Sequence, residues 1–183
     1  MARTLFSQLY KEDLTELTQR LEKEYYNEID AVCKHAARHA AELEETESHP
    51  SSILYITLCV KLIDEIRFHI RLRKDLTIPY LYTLAQKATG SHDCRTCSGV
   101  CKVQHTLQMQ NLREAHHRIS ELLERIQQLT KPLYLENDSP LNYKILRNEV
   151  MIIDNALTDL FYIEESVLIP KVAELQNAIH VTS

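Results

Sequence analysis

His69-Ile-Arg-Leu-Arg73-Lys-Asp-Leu-Thr-Ile-Pro79 returns 91 positions later as Leu160-Phe-Tyr-Ile-Glu164-Glu-Ser-Val-Leu-Ile-Pro170. Both stretches read as the last turns of a helix that stops at an Ile-Pro pair. Proline has no N–H and disfavours helix in the residue before it. Apolar positions align between the copies: Leu62 with Ile153, Ile66 with Leu157, Leu72 with Ile163, Leu76 with Val167 and Ile78 with Ile169. The pair expected on the inward face differs. The first copy has His69 and Arg73 there, the second Leu160 and Glu164. One copy offers a metal-ligand histidine where the other offers none.

Outward from these turns, the chain reads as helix throughout. Two glycines and no tryptophan in 183 residues, with abundant Leu, Glu, Ala, Arg and Lys, indicate an all-α protein. The length suits a single domain spanning residues 1–183. A net charge of −5 and the lack of a basic block argue against a nucleic-acid partner. The longest apolar run, Ile53 to Val60, is too short to span a bilayer. The first residues lack the apolar core of a secretory signal, so a cytoplasmic location is expected. Five cysteines, three of them within eight residues, suit a reducing compartment and metal or redox chemistry.

A first helix is expected from about Lys11 to Glu47, with Leu14, Leu17, Leu21, Tyr25, Ile29, Val32, Ala36, His39 and Leu43 on its apolar face. A second is expected from about Ser52 to Thr77, with an inward stripe of Leu62, Ile66, His69, Arg73 and Leu76. Arg67, Arg71 and Lys74 read mostly as its solvated side. Residues 80–105 then form a connecting insertion that carries the cysteines. The third helix starts within the cysteine cluster and runs to Lys131, with Leu112, His116, Ile119, Leu123 and Ile126 facing in. Ser139-Pro140 opens the fourth, which continues to about Asn177 with Ile153, Leu157, Leu160, Glu164 and Val167 inward. Four long amphipathic helices make an up-down four-helix bundle the expected architecture.

Polar residues then fall on every inward stripe: His39, His69 with Arg73, His116 and Glu164. Buried charges are rare unless paired or bound to metal. The turns at His69–Pro79 and Leu160–Pro170, with Arg113-Glu114-Ala115-His116 and the His49-Pro50 pair, resemble the hemerythrin-like (HHE cation-binding) domain, nearest its iron–sulfur-centre repair branch. That resemblance covers roughly Leu14 to Val172. It implies a hemerythrin-like bundle and a non-heme di-iron centre held by histidines and two bridging carboxylates. Carried over by position, His69, His116 and Glu164 keep ligand identity. Arg73 stands where a bridging glutamate would be, and Leu160 where a ligand histidine would be. Tyr26 and Glu45 fall near two further ligand places.

Two readings of the centre follow. In one, Arg73 and Glu164 form a salt bridge that replaces the metal's charge. In the other, His69, His116 and Glu164 hold one iron, a set known for non-heme iron. The insertion offers a second candidate. Cys94 and Cys97 have Cys-x-x-Cys spacing, Cys101 and His105 follow at helical intervals, and His92 flanks them. Three thiolates and an imidazole suit zinc or, with less precedent, an iron–sulfur cluster; a dithiol switch is the redox alternative, and unreactive loop cysteines are the third. Cys33 and Cys59 read as small core residues. No phosphate loop, Ser–His–Asp arrangement or nucleotide fingerprint is visible. The functional expectation is a metal-binding protein of iron handling or of redox or nitrosative-stress response. The alternative is a metal-free hemerythrin-like scaffold serving as an interaction or thiol-sensing module, its protein partner not named by the sequence.

Overall fold

A computed structural model describes residues 6–46, 50–91, 100–130 and 141–181. The protein is all-α, with no strand among the described residues. A short helix α1 (Phe6–Leu9) leads into four long rods: α2 (residues 14–46), α3 (residues 50–91), α4 (Val100–Thr130) and α5 (residues 141–181). Asp13 starts α2 with a capping box: its side chain accepts from the Glu16 N–H at 2.8 Å, while Glu16 accepts from the Asp13 N–H at 3.1 Å. Pro50 occupies the first turn of α3, where a missing N–H costs nothing.

The second half of α2 packs against the first parts of α3 and α5, and α3 packs against α4. The start of α2 lies on residues 78–86 of α3, which also touch the end of α5. One apolar core runs through all four rods, from Leu17, Leu21 and Ile29 through Leu62 and Ile66 to Ile119, Ile153 and Leu157. The inward stripes expected for α4 and α5 are buried as read. On α2 the stripe is buried except at Val32 and His39, which are partly exposed.

The Ile-Pro pairs do not stop their helices, contrary to the expectation above. Before each proline the chain widens into a π turn, Arg73–Thr77 in α3 and Glu164–Leu168 in α5, and then resumes as α-helix. The Ile78 N–H reaches back five residues to the Arg73 carbonyl, and Ile169 does the same to Glu164. A proline in a regular helix would clash with the carbonyl four residues earlier; the extra residue in the wide turn relieves that contact. The connection after Pro79 therefore begins as helix, which continues until Gly90 breaks it at φ 87°. The two turns are not covered alike: Val167 of α5 is buried, but its counterpart in α3 is not. Leu76, assigned to the inward stripe, is 48 % exposed, and Thr77, Ile78, Tyr80 and Leu81 are buried in its stead.

A third π turn, Leu21–Tyr26, interrupts α2 with no proline to announce it.

Candidate functional site

The π turns at Leu21–Tyr26, Arg73–Thr77 and Glu164–Leu168 meet at one buried cluster. Tyr26 ends the first, Arg73 begins the second and Glu164 begins the third. π turns commonly mark functional positions. Here the residues that open two of them are opposite charges facing each other. The Glu164 side chain has no exposure, and that of Arg73 has 4 %.

Arg73 grips the carboxylate with two parallel bonds, Nε to Oε1 at 2.8 Å and Nη2 to Oε2 at 3.0 Å. The Tyr26 hydroxyl donates to Oε1 at 2.7 Å, and its ring lies 5.9 Å from the guanidinium carbon. His116 from α4 places Nε2 at 2.5 Å from Oε2. Each oxygen of Glu164 thus has two partners, which uses the full acceptor capacity of a carboxylate.

The other face of His116 is held as well. Its Nδ1 lies 3.0 Å from Glu165 Oε1, and its ring packs on Phe161 at 4.2 Å between centroids. Each ring nitrogen of His116 thus faces a carboxylate oxygen. Burial alone would push the Glu164 carboxyl up, but the Arg73 charge and the hydrogen bonds from His116 and Arg73 outweigh it and hold it down to about 2. Burial works against the Arg73 charge too, and Glu164 more than compensates, so the guanidinium stays ionised. Burial and the adjacent carboxylate push the Tyr26 hydroxyl well above its ordinary value, keeping it a donor.

His69 does not join this cluster. Its Nε2 faces Glu65 Oε1 at 2.9 Å, one helical turn back on α3. Burial lowers its basicity, the Glu65 hydrogen bond opposes that, and the Arg73 charge lowers it further. His39 pairs with Glu149 at 2.8 Å at a partly exposed position. Glu45 is exposed. Leu160 is buried beside Phe161 in the core. Arg73, read on the inward stripe, is buried there, and with Glu164 it is among the most buried charged residues described.

The iron centre implied by the resemblance finds no open donor set here. Every acceptor position of Glu164 is occupied, a fixed guanidinium lies at hydrogen-bonding distance, and His69 is turned to Glu65. A cation held there repels a metal ion directly. Among the described residues, no group of three or more His, Cys, Asp or Glu side chains is arranged to hold a metal. A cavity of about 20 Å³ adjoins Arg73, bounded by His69, Thr77 and Gln108, with room for about one water. Beside it Thr77 donates to Gln108 Oε1 at 2.9 Å, tying α3 to α4.

Of the insertion, His92, Cys94 and Cys97 lie outside the described residues. Cys101 and His105 fall on the described backbone of α4, their side chains outside the description. Cys33 and Cys59 are fully buried free thiols, and burial pushes both up to about 12, so neither is a ready nucleophile.

Sequence reasoning found Arg73, His116 and Glu164 and included Tyr26, but it missed the two carboxylates that hold the histidines. Glu65 was legible as the helical i,i+4 neighbour of His69. Glu165 was not, since its pairing with His116 depends on how α4 lies against α5. Among the described residues, no helix is long and apolar enough to cross a membrane. No family model, curated protein or solved structure matches the chain.

Proposed function

We propose that this protein is a hemerythrin-like up-down four-helix bundle whose centre is closed by an internal charge network in place of a metal, and that it works as an interaction or thiol-sensing module. One observation carries this reading: Arg73 engages Glu164 in a bidentate, fully buried pair. In the arrangement the resemblance implies, two bridging carboxylates converge on metal. Here one of the two positions carries a guanidinium, which balances the remaining carboxylate from within the protein.

The cysteine spacing supports a second reading, that residues 92–105 bind zinc through Cys94, Cys97, Cys101 and either His105 or His92. Metal handling in redox or nitrosative stress would then reside in this segment, apart from the bundle centre.

Elemental analysis and an optical spectrum of anaerobically purified protein separate these readings. The expected result is no iron at the centre, and ferrous iron uptake by Arg73→Glu, which restores an acidic pair. Two irons with oxo-bridge absorption in the wild type would overturn the charge-network reading. One zinc, lost in Cys97→Ser, would assign the metal to the cysteine segment. Neither metal, with titratable thiols, is the result expected of the thiol-sensing module.

A further inference from the structure

A groove of about 200 Å³ lies between α2 and α3, distinct from the buried centre. Its floor is Ile70, which is buried. Arg67, Arg71 and Lys74 line one wall at successive turns of α3, a spacing that puts them on one face, and Lys34 reaches in from α2. Two carboxylates, Asp30 and Asp75, share the groove, so it carries an excess of two positive charges in a chain of net charge −5.

The compensation is uneven. Asp30 is engaged by Lys34 at 2.7 Å and more loosely by Arg67 at 3.7 Å. The Lys74 ammonium donates to the Asn27 amide oxygen at 2.7 Å, a neutral partner that positions the charge without cancelling it. Arg71 is exposed and makes no ion pair among the described residues, and Asp75 one turn on does not meet it. Asp30 is already engaged, and the Arg71 and Lys74 cations at the rim outnumber the remaining carboxylate, Asp75, so the groove keeps an excess of positive charge for a small anion.

We infer that this groove binds a phosphoryl group. Arg71 offers two parallel N–H donors to a pair of phosphoryl oxygens, while Lys74 supplies a point charge beside it and Lys34, shared with Asp30, a weaker one from α2. The volume admits a phosphate or a pyrophosphate. Because the cations are solvated, binding is weak and falls with added salt. The same chemistry is offered by a free phosphate compound and by a phosphorylated side chain of a partner.

The test is a titration of the full chain with pyrophosphate at low salt, followed by backbone amide NMR. Saturable shifts confined to residues 30–34 and 67–75 are expected. Binding becomes about tenfold weaker in Arg71→Glu/Lys74→Glu, a loss of about 1.4 kcal/mol. A charge-matched control, Lys61→Glu/Arg125→Glu, alters a different groove between α3 and α4 and leaves binding within about twofold. Arg71→Ala alone, a truncation at an exposed site, gives a smaller loss in the same direction should the double variant fold poorly. Shifts that spread over the surface without saturating, or equal losses in both double variants, would overturn the proposal. A phosphoserine peptide binding at least about tenfold tighter than pyrophosphate assigns the groove to a phosphorylated partner. Equal or weaker binding assigns it to free phosphate compounds.

Discussion

The turns at 73–79 and 164–170 share a backbone and differ in charge. Each opens with a charged residue, widens into a π turn, passes an Ile-Pro pair and continues as helix. The shared features follow from proline: both copies need an extra residue to pass it, and in both the charged residue that opens the turn is buried. What differs is the sign of the charge delivered. Two like charges at this contact would need a cation between them, whereas opposite charges 2.8 Å apart satisfy each other. The residue at one position of the repeat thus decides whether the contact balances its own charge.

The largest effect should come from removing one half of the comparison. Glu164→Gln leaves a buried guanidinium without its counter-charge, and denaturant unfolding should show a loss of about 3–5 kcal/mol. The exchange Arg73→Glu with Glu164→Arg restores opposite charges across the same contact. Recovery of at least part of that loss would show that the two turns are interchangeable carriers. No recovery would mean that Tyr26 and His116 fix the polarity.

Acid should act on the same contact. The Glu164 carboxyl is held at about 2 against an ordinary value of 4.5, so its contribution is complete above about pH 4.5 and is lost as the pH falls toward 2. The loss amounts to about 3 kcal/mol at full protonation. His69 adds in the same direction, beginning near its ordinary value of 6.5: its lowered folded value favours the neutral ring, so its contribution is present above that pH and declines below it. Stability measured from pH 7 to pH 2 should fall in both steps, and Glu164→Gln should abolish the lower one.

A smaller change tests the neutral donor. Tyr26→Phe removes one hydrogen bond to a buried charge and should cost about 2 kcal/mol in thermal or denaturant melts. A loss well below 1 kcal/mol would show that Arg73 and His116 hold the carboxylate without help. The smallest effect belongs at the other polar contact. His39→Ala breaks a partly exposed pair with Glu149 and should cost less than about 1 kcal/mol. A larger cost would mean that the centre is less special than its burial implies.

The positions of these groups were legible to different degrees. His116 and Glu164 stand on helices with no insertion before them, so periodicity placed both inward. Arg73 was read inward because it aligns with Glu164, although its neighbours Arg71 and Lys74 face solvent. Leu76 was misplaced although its counterpart Val167 is buried, because periodicity does not say which neighbours cover a turn. Tyr26 joined the candidates through the resemblance alone; the π turn that delivers it has no proline and left no mark in the pattern.

By itself the sequence determined that the chain is helical, which faces of α4 and α5 are buried, and that opposite charges occupy matching places in a repeat. Those properties depend on local spacing and composition, which are complete in the chain. Tertiary structure alone decided that the helices pass their prolines, that His69 turns to Glu65 while His116 turns to Glu164, and that all four acceptor positions of one carboxylate are filled. These depend on how neighbouring rods are rotated about their axes. A single π residue changes that rotation by about a quarter turn, enough to decide which side chains meet.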